Sequence, residues 1–180
     1  FDGADANLEL VNTLQNLGRP HLAYNEATGE LYLVKGPTGE VAIYNLGSDM
    51  LTAFQPIEMD GEDITETYSA VVTDDGRLLV GSNNQDKLYE VDPTTGTASM
   101  PVDVPSVDGG DIIQTNDGDI WVVSRSNNRL YNITDDVDYQ FSSLNQMYGA
   151  AVLDNGFIVI ADGGDLLHEV DPNLLDANVD

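Results

Sequence analysis

The chain has no cysteine, a single tryptophan, two histidines and only 6 lysines and arginines in 180 residues. Without cysteine there is no disulfide, no zinc–thiolate site and no thiol nucleophile. With so few bases there is little to meet phosphate groups, so nucleic acid and anionic membrane surfaces are poor partners. No apolar run nears the roughly 18 residues of a membrane-crossing helix, and no membrane insertion is expected. The amino terminus, FDGADANLEL, has neither an initiator Met nor a basic start followed by an apolar stretch. It reads as a processed or excised piece of something larger, with no signal peptide remaining. No segment sustains a 3.6-residue apolar period, so helix should be minor; the best stretches for it are 7–17 and 172–177.

What the chain has in abundance is acid: 32 Asp and Glu, 23 of them Asp, for a formal net charge of −26. Such a surface suits salty water, halophilic or marine, where ions screen self-repulsion over about 3–10 Å. It would alternatively collect divalent cations. The acids are spread over the whole chain rather than gathered in one loop, which favours the first reading.

The other abundance is repetition. The stretch 68–105 reads as four short strands joined by tight turns, at 68–73, 77–81, 87–91 and 97–104. Its turns are Asp74-Asp75-Gly76 and Asp92-Pro93-Thr94-Thr95-Gly96. The turn glycines recur at Gly29, Gly76, Gly118 and Gly156, at spacings of 76 − 29 = 47, 118 − 76 = 42 and 156 − 118 = 38. Each is followed by an apolar run: Leu31-Tyr32-Leu33-Val34, Leu78-Leu79-Val80, Ile120-Trp121-Val122-Val123 and Phe157-Ile158-Val159-Ile160-Ala161. A strand apolar on both sides stays dry only if sheets cover both its faces. Four strands repeated about every 40–45 residues is the pattern of a β-propeller blade.

The expected fold is therefore an all-β propeller of four-stranded antiparallel blades in a single domain, 1–180. The blades fall near 20–58, 67–104, 109–143 and 147–171. A strand at 7–14 is expected to complete the last blade, because an open sheet edge exposes unpaired backbone. A closed four-blade ring, two chains forming an eight-blade ring, and a piece of a larger propeller all satisfy the same residues.

Leu88-Tyr89-Glu90-Val91-Asp92-Pro93-Thr94-Thr95-Gly96 resembles the third strand and turn of bacterial propellers of the NHL, YVTN and gluconolactonase-like groups. Leu167-His168-Glu169-Val170-Asp171-Pro172 repeats its first half. Blade one departs with Tyr44-Asn45-Leu46-Gly47, and blade three has Ile133-Thr134-Asp135. The resemblance implies blades throughout the chain, not an activity. A gluconolactonase-like activity would need a Glu, with Asn and Asp partners, around an axial metal. Only Glu40 and Glu66 stand near the right places.

In a propeller the first-strand starts and the loops between strands two and three share one face, the default ligand site. Counting back from the turn glycines puts His21, Tyr68, Gly110 with Asp111, and Tyr148 there. The facing loops carry Lys35, Asn83, Asn84, Asp86, Arg125, Asn127, Asp162 and Asp165. His21, Tyr68, Asp111, Arg125 and Tyr148 are the expected ligand-binding residues. The alternative for the tyrosines is packing between blades with hydroxyls at the rim. Asp108, Asp111, Asp162 and Asp165, beside flexible glycines, are the best calcium ligands on offer. No twelve-residue calcium loop and no G-x-S-x-G elbow occurs, and no residue is assigned a catalytic role. His168, in a third strand, should point outward or between blades. Asn132-Ile133-Thr134 fits a glycosylation acceptor.

The expected function is an extracellular or cell-surface binding and interaction module, periplasm included. Its partner is a protein or a small polar ligand, and no cofactor is required. One alternative is a calcium-dependent, gluconolactonase-like hydrolase with an axial site. Another is a structural subunit, a homodimer or part of a larger parent protein, assembled by strand exchange.

Overall fold

A computed structural model of the chain describes residues 20–105 and 110–175, and its architecture is almost wholly strand. Blade one is built from β1 (Pro20–Asn25), β2 (Glu30–Lys35), β3 (Glu40–Asn45) and a broken outer strand, β4 (Met50–Leu51) and β5 (Gln55–Pro56). A small hairpin follows, β6 (Glu58–Met59) and β7 (Glu62–Asp63). Blade two runs β8 (Thr67–Val72), β9 (Leu78–Ser82), β10 (Lys87–Val91), β11 (Ala98–Asp103). Blade three runs β12 (Asp111–Gln114), β13 (Ile120–Ser124), β14 (Arg129–Asn132), β15 (Val137–Gln140). Blade four shows β16 (Met147–Val152), β17 (Ile158–Asp162) and β18 (Leu167–Val170). Every sheet is an antiparallel up-and-down ribbon in chain order. The first strands stand side by side, β1 by β8, β8 by β12 and β12 by β16. This is a four-blade propeller arrangement.

Of the expected helices, the stretch at 172–177 yields a 3-10 turn, Pro172–Leu174, begun by the Asp171 carboxylate. The strand expected at 7–14 and the helical stretch at 7–17 lie outside the described residues. Among the described residues no helix is long and apolar enough to cross a membrane.

Three apolar clusters bind blade to blade. Val34 and Val41 meet Val80 and Val91 between blades one and two. Leu79 and Leu88 meet Ile112 and Val122 between blades two and three. Trp121 and Val123 meet Ile158 and Ile160 between blades three and four. Alternate residues of one middle strand thus serve opposite neighbours, which is why these strands read as unbroken apolar runs. Each such side chain, fully buried, is worth about 1.5–3 kcal/mol. The long first spacing of 47 accommodates the β6–β7 hairpin, whose flanking Ile57 and Ile64 are buried in the first cluster.

The ends of the third strands show one device four times. Asn45 Oδ1 accepts from the Gly47 and Ser48 amides, Asp92 Oδ1 from Thr94, Asn132 Oδ1 from Thr134 and Asp135, and Asp171 Oδ1 from Asn173. These are Asx turns, in which a short side chain replaces a backbone acceptor. Blade one's departure from the Val-Asp-Pro pattern therefore costs it nothing, because Asn45 does the work of Asp92. Asn132 is buried and its amide donates to Asp119 and Asp135. The side chain that fits a glycosylation signal in sequence is a structural cap.

Candidate ligand-binding face

Backbone irregularities aim the rings at the face where first strands begin. In β8 the pairing passes from Thr67↔Ser82 to Ser69↔Gly81, so Tyr68 is an extra residue bulged from the ladder. In β16 it passes from Met147↔Asp162 to Gly149↔Ala161, and Tyr148 is the extra residue. A bulge bends its strand and redirects the side chain it carries. The Tyr68 ring lies on Gly36 of the β2–β3 loop, where a Cβ would come within 2.7 Å of Cδ1. It meets His21 edge-on, 6.1 Å between centroids. Tyr68 is half-buried between blades, whereas Tyr148 is 45% exposed.

Arg125, from the β13–β14 loop, lies over the Tyr148 ring at 4.6 Å from its centroid. Its Nη2 donates to Tyr148 Oη at 3.2 Å, and that hydroxyl donates to Gln146 Oε1 at 2.7 Å. The other described lysines and arginines face carboxylates: Lys35–Glu40 at 3.2 Å, Arg77–Asp75 at 2.8 Å, Lys87–Asp103 and Arg129–Asp138. Arg125 has no carboxylate partner among the described residues. Its guanidinium sits over the ring and is anchored to the same tyrosine's hydroxyl, an arrangement that favours a cation there. In so acidic a molecule that is a local positive point on the expected face.

The remaining predicted residues divide. His21 is half-buried, and that burial holds its imidazole below the ordinary value. Asp111 is spent on structure: Oδ1 accepts from its neighbour Ile112 at 2.9 Å and Oδ2 from Ala150 at 3.1 Å, across the blade three–four junction. Burial pushes its carboxyl up despite those two bonds. Asp162 accepts from the amides of Gly164 at 2.9 Å and Leu166 at 3.1 Å, and its Oδ2 meets His168 Nε2 at 3.1 Å. Burial would raise the Asp162 carboxyl, but these bonds outweigh it and hold it below the usual range. Asp165 sits in the same loop at positive φ, and Asp108 lies outside the described residues. Among the described residues no three His, Asp or Glu side chains gather as a cation site. Glu40 is engaged by Thr38 and Lys35. His168 is a loop clamp, and Gln146 is a member of the face that sequence reasoning missed. A pairing of Asp162 with a histidine six residues on was the available signal for the first; nothing in the sequence marks the second.

No family model matches the chain, and no curated protein matches it. Solved structures do. The hydrazine synthase of Kuenenia stuttgartiensis superposes with a TM-score of 0.65 at 14% identity, over 94% of this chain and 49% of that one. Virginiamycin B lyase of Staphylococcus aureus, in a catalytically inactive form with quinupristin, gives a TM-score of 0.64 at 16% identity, over 89% and 59%. The likeness is one of propeller fold. The chain spans about half to three-fifths of the length of these structures.

Proposed function

We propose that this propeller module binds a small polar ligand carrying an anionic group, at the face where Arg125 and Tyr148 stand. The observation that carries the reading is Arg125: a cation without a carboxylate partner among the described residues, stacked on a tyrosine that a bulge has turned outward. Tyr148 holds the guanidinium in place, and Gln146 beside it offers a further polar contact. The hydrated acidic surface suits work outside the cell or at its surface, in salty water. A protein partner presenting a carboxylate at an exposed tip would use the same groups.

The test is an amide and side-chain NMR titration with acetate, benzoate and citrate at raised salt. Shifts are expected at the Arg125 side chain and at residues 145–149, and should vanish in Arg125→Ala. Shifts elsewhere, or unchanged in that variant, would refute the site. The calcium-dependent hydrolase alternative is tested by melting the protein with calcium and with EDTA. A rise of several degrees with calcium would support it through linkage, and identical curves would remove it.

A further inference from the structure

The ligand-binding face repeats one construction at two seams between blades. Tyr68 and Tyr148 each stand eight residues before a turn glycine, at 76 − 68 = 8 and 156 − 148 = 8. Each is the extra residue of a bulge, which bends its strand and turns the ring out of the ladder. Two residues earlier the backbone is left-handed in both, at Glu66 (φ +53) and Gln146 (φ +56). The carbonyls of those residues accept from the amides of Asn83 at 2.9 Å and Gly163 at 2.8 Å, which hold equivalent places in the second-to-third-strand loops of the two blades. Thr67 and Met147, next to the rings, are both wholly buried. Built alike, the two rings should behave alike.

They do not: Tyr68 is half-buried and Tyr148 is 45% exposed. The loop of the preceding blade meets each ring at the same position, seven residues past its turn glycine. That position is Gly36 for Tyr68 and Arg125 for Tyr148, at 36 − 29 = 7 and 125 − 118 = 7. A Cβ on Gly36 would come within 2.7 Å of Cδ1 and 2.8 Å of Cε1 of Tyr68. Gly36 is not among the glycines with positive φ, so its backbone suits any residue, and it is the ring that excludes a side chain. Arg125 carries that Cβ, so Tyr148 cannot settle on its loop as Tyr68 does. The guanidinium lies over the ring instead, 4.6 Å from its centroid. At the seam of blades two and three the same two positions hold Asn83 and Gly110, with no ring between them.

We infer that the seventh residue after the turn glycine is the specificity-determining position of this face: it decides whether the next blade's tyrosine is packing or is presented to a ligand. Glycine lets the ring lie down as part of the seam. Arginine stands the ring up and supplies the cation that stacks on it. In terms of ligand, this rests on the anion-binding reading and narrows it. Among the described residues the face offers one anion site, at the seam of blades three and four, and His21 with Tyr68 forms none.

The test exchanges the two positions and reads each tyrosine's ring protons by their broadening with a neutral, soluble paramagnetic chelate. In the unaltered protein Tyr148 should broaden strongly and Tyr68 weakly. Gly36→Ala, which adds only the Cβ, and Gly36→Arg should both bring Tyr68 toward the level of Tyr148, and Arg125→Gly should bring Tyr148 down toward that of Tyr68. Either ring keeping its original broadening in these variants would overturn the inference. Benzoate added to Gly36→Arg should shift residues 66–68 as well as 145–149, and shifts confined to 145–149 would overturn it too. Rings that respond as stated in a protein that binds benzoate in no form would uphold the position's control of the rings and refute the anion site. Benzoate held at Arg125 with both rings unmoved would uphold that site and refute the inference.

Discussion

His21 shows how a single residue reports on its surroundings. Its imidazole titrates lower in the folded chain than in the unfolded one because burial opposes the charge. Above the ordinary value of 6.5 the group is neutral in both states and contributes nothing. As pH falls below that value the unfolded state takes up the proton first, so stability should fall. Melting followed from pH 7.5 to 5 should show this decline, and His21→Gln should flatten it; an identical decline in the variant would refute the cause. Asp111 acts oppositely, since its carboxyl is raised by burial and protonation relieves it as pH falls toward 3.8. Tyr131 bonds to Asp136 and is pushed up to about 12. It should be among the last tyrosines to ionise in an ultraviolet titration, and Asp136→Asn should bring it earlier.

The elements divide what was legible from what was not. Turn glycines and apolar runs placed the middle strands within a residue or two, because period-two burial and positive-φ turns leave marks in composition. The bulges at Tyr68 and Tyr148 left none, since an extra residue in a ladder has no residue type of its own. Nor did the β6–β7 hairpin, visible only as a long spacing. The candidate face was legible in part: counting from the glycines puts Tyr68 and Tyr148 at the starts of first strands, where the structure has them, while the contacts that join Arg125, Tyr148 and Gln146 depend on loop geometry. Two glycines separate conformational need from crowding. Gly76 has φ +87 and open space around it, whereas Gly96 has φ +77 and a Cβ there would overlap the Pro56 carbonyl. Gly76→Ala should cost about 1–2 kcal/mol for a side chain in the left-handed region, and Gly96→Ala should cost more by about 2 kcal/mol or greater because backbone must move. Denaturant midpoints decide this, and equal losses would show that Gly96 is not pinned. Asn132→Ala should cost about 1–3 kcal/mol by leaving the Thr134 and Asp135 amides without their acceptor.

For the whole molecule, charge and stacking set the behaviour. A net charge of −26 should make the protein more stable in molar salt than at low ionic strength, as self-repulsion is screened. A melting temperature flat across that range would show that the charges are already too well separated to matter. The blades themselves rest on double-sided middle strands, and this is open to a direct measurement. In methyl-labelled protein, nuclear Overhauser contacts from Leu79 should reach the Ile112 and Val122 methyls of blade three, while those of its neighbour Val80 should reach the Val34 and Val41 methyls of blade one. If both residues reported the same neighbour, or either faced solvent, the sheets would not be stacked as propeller blades.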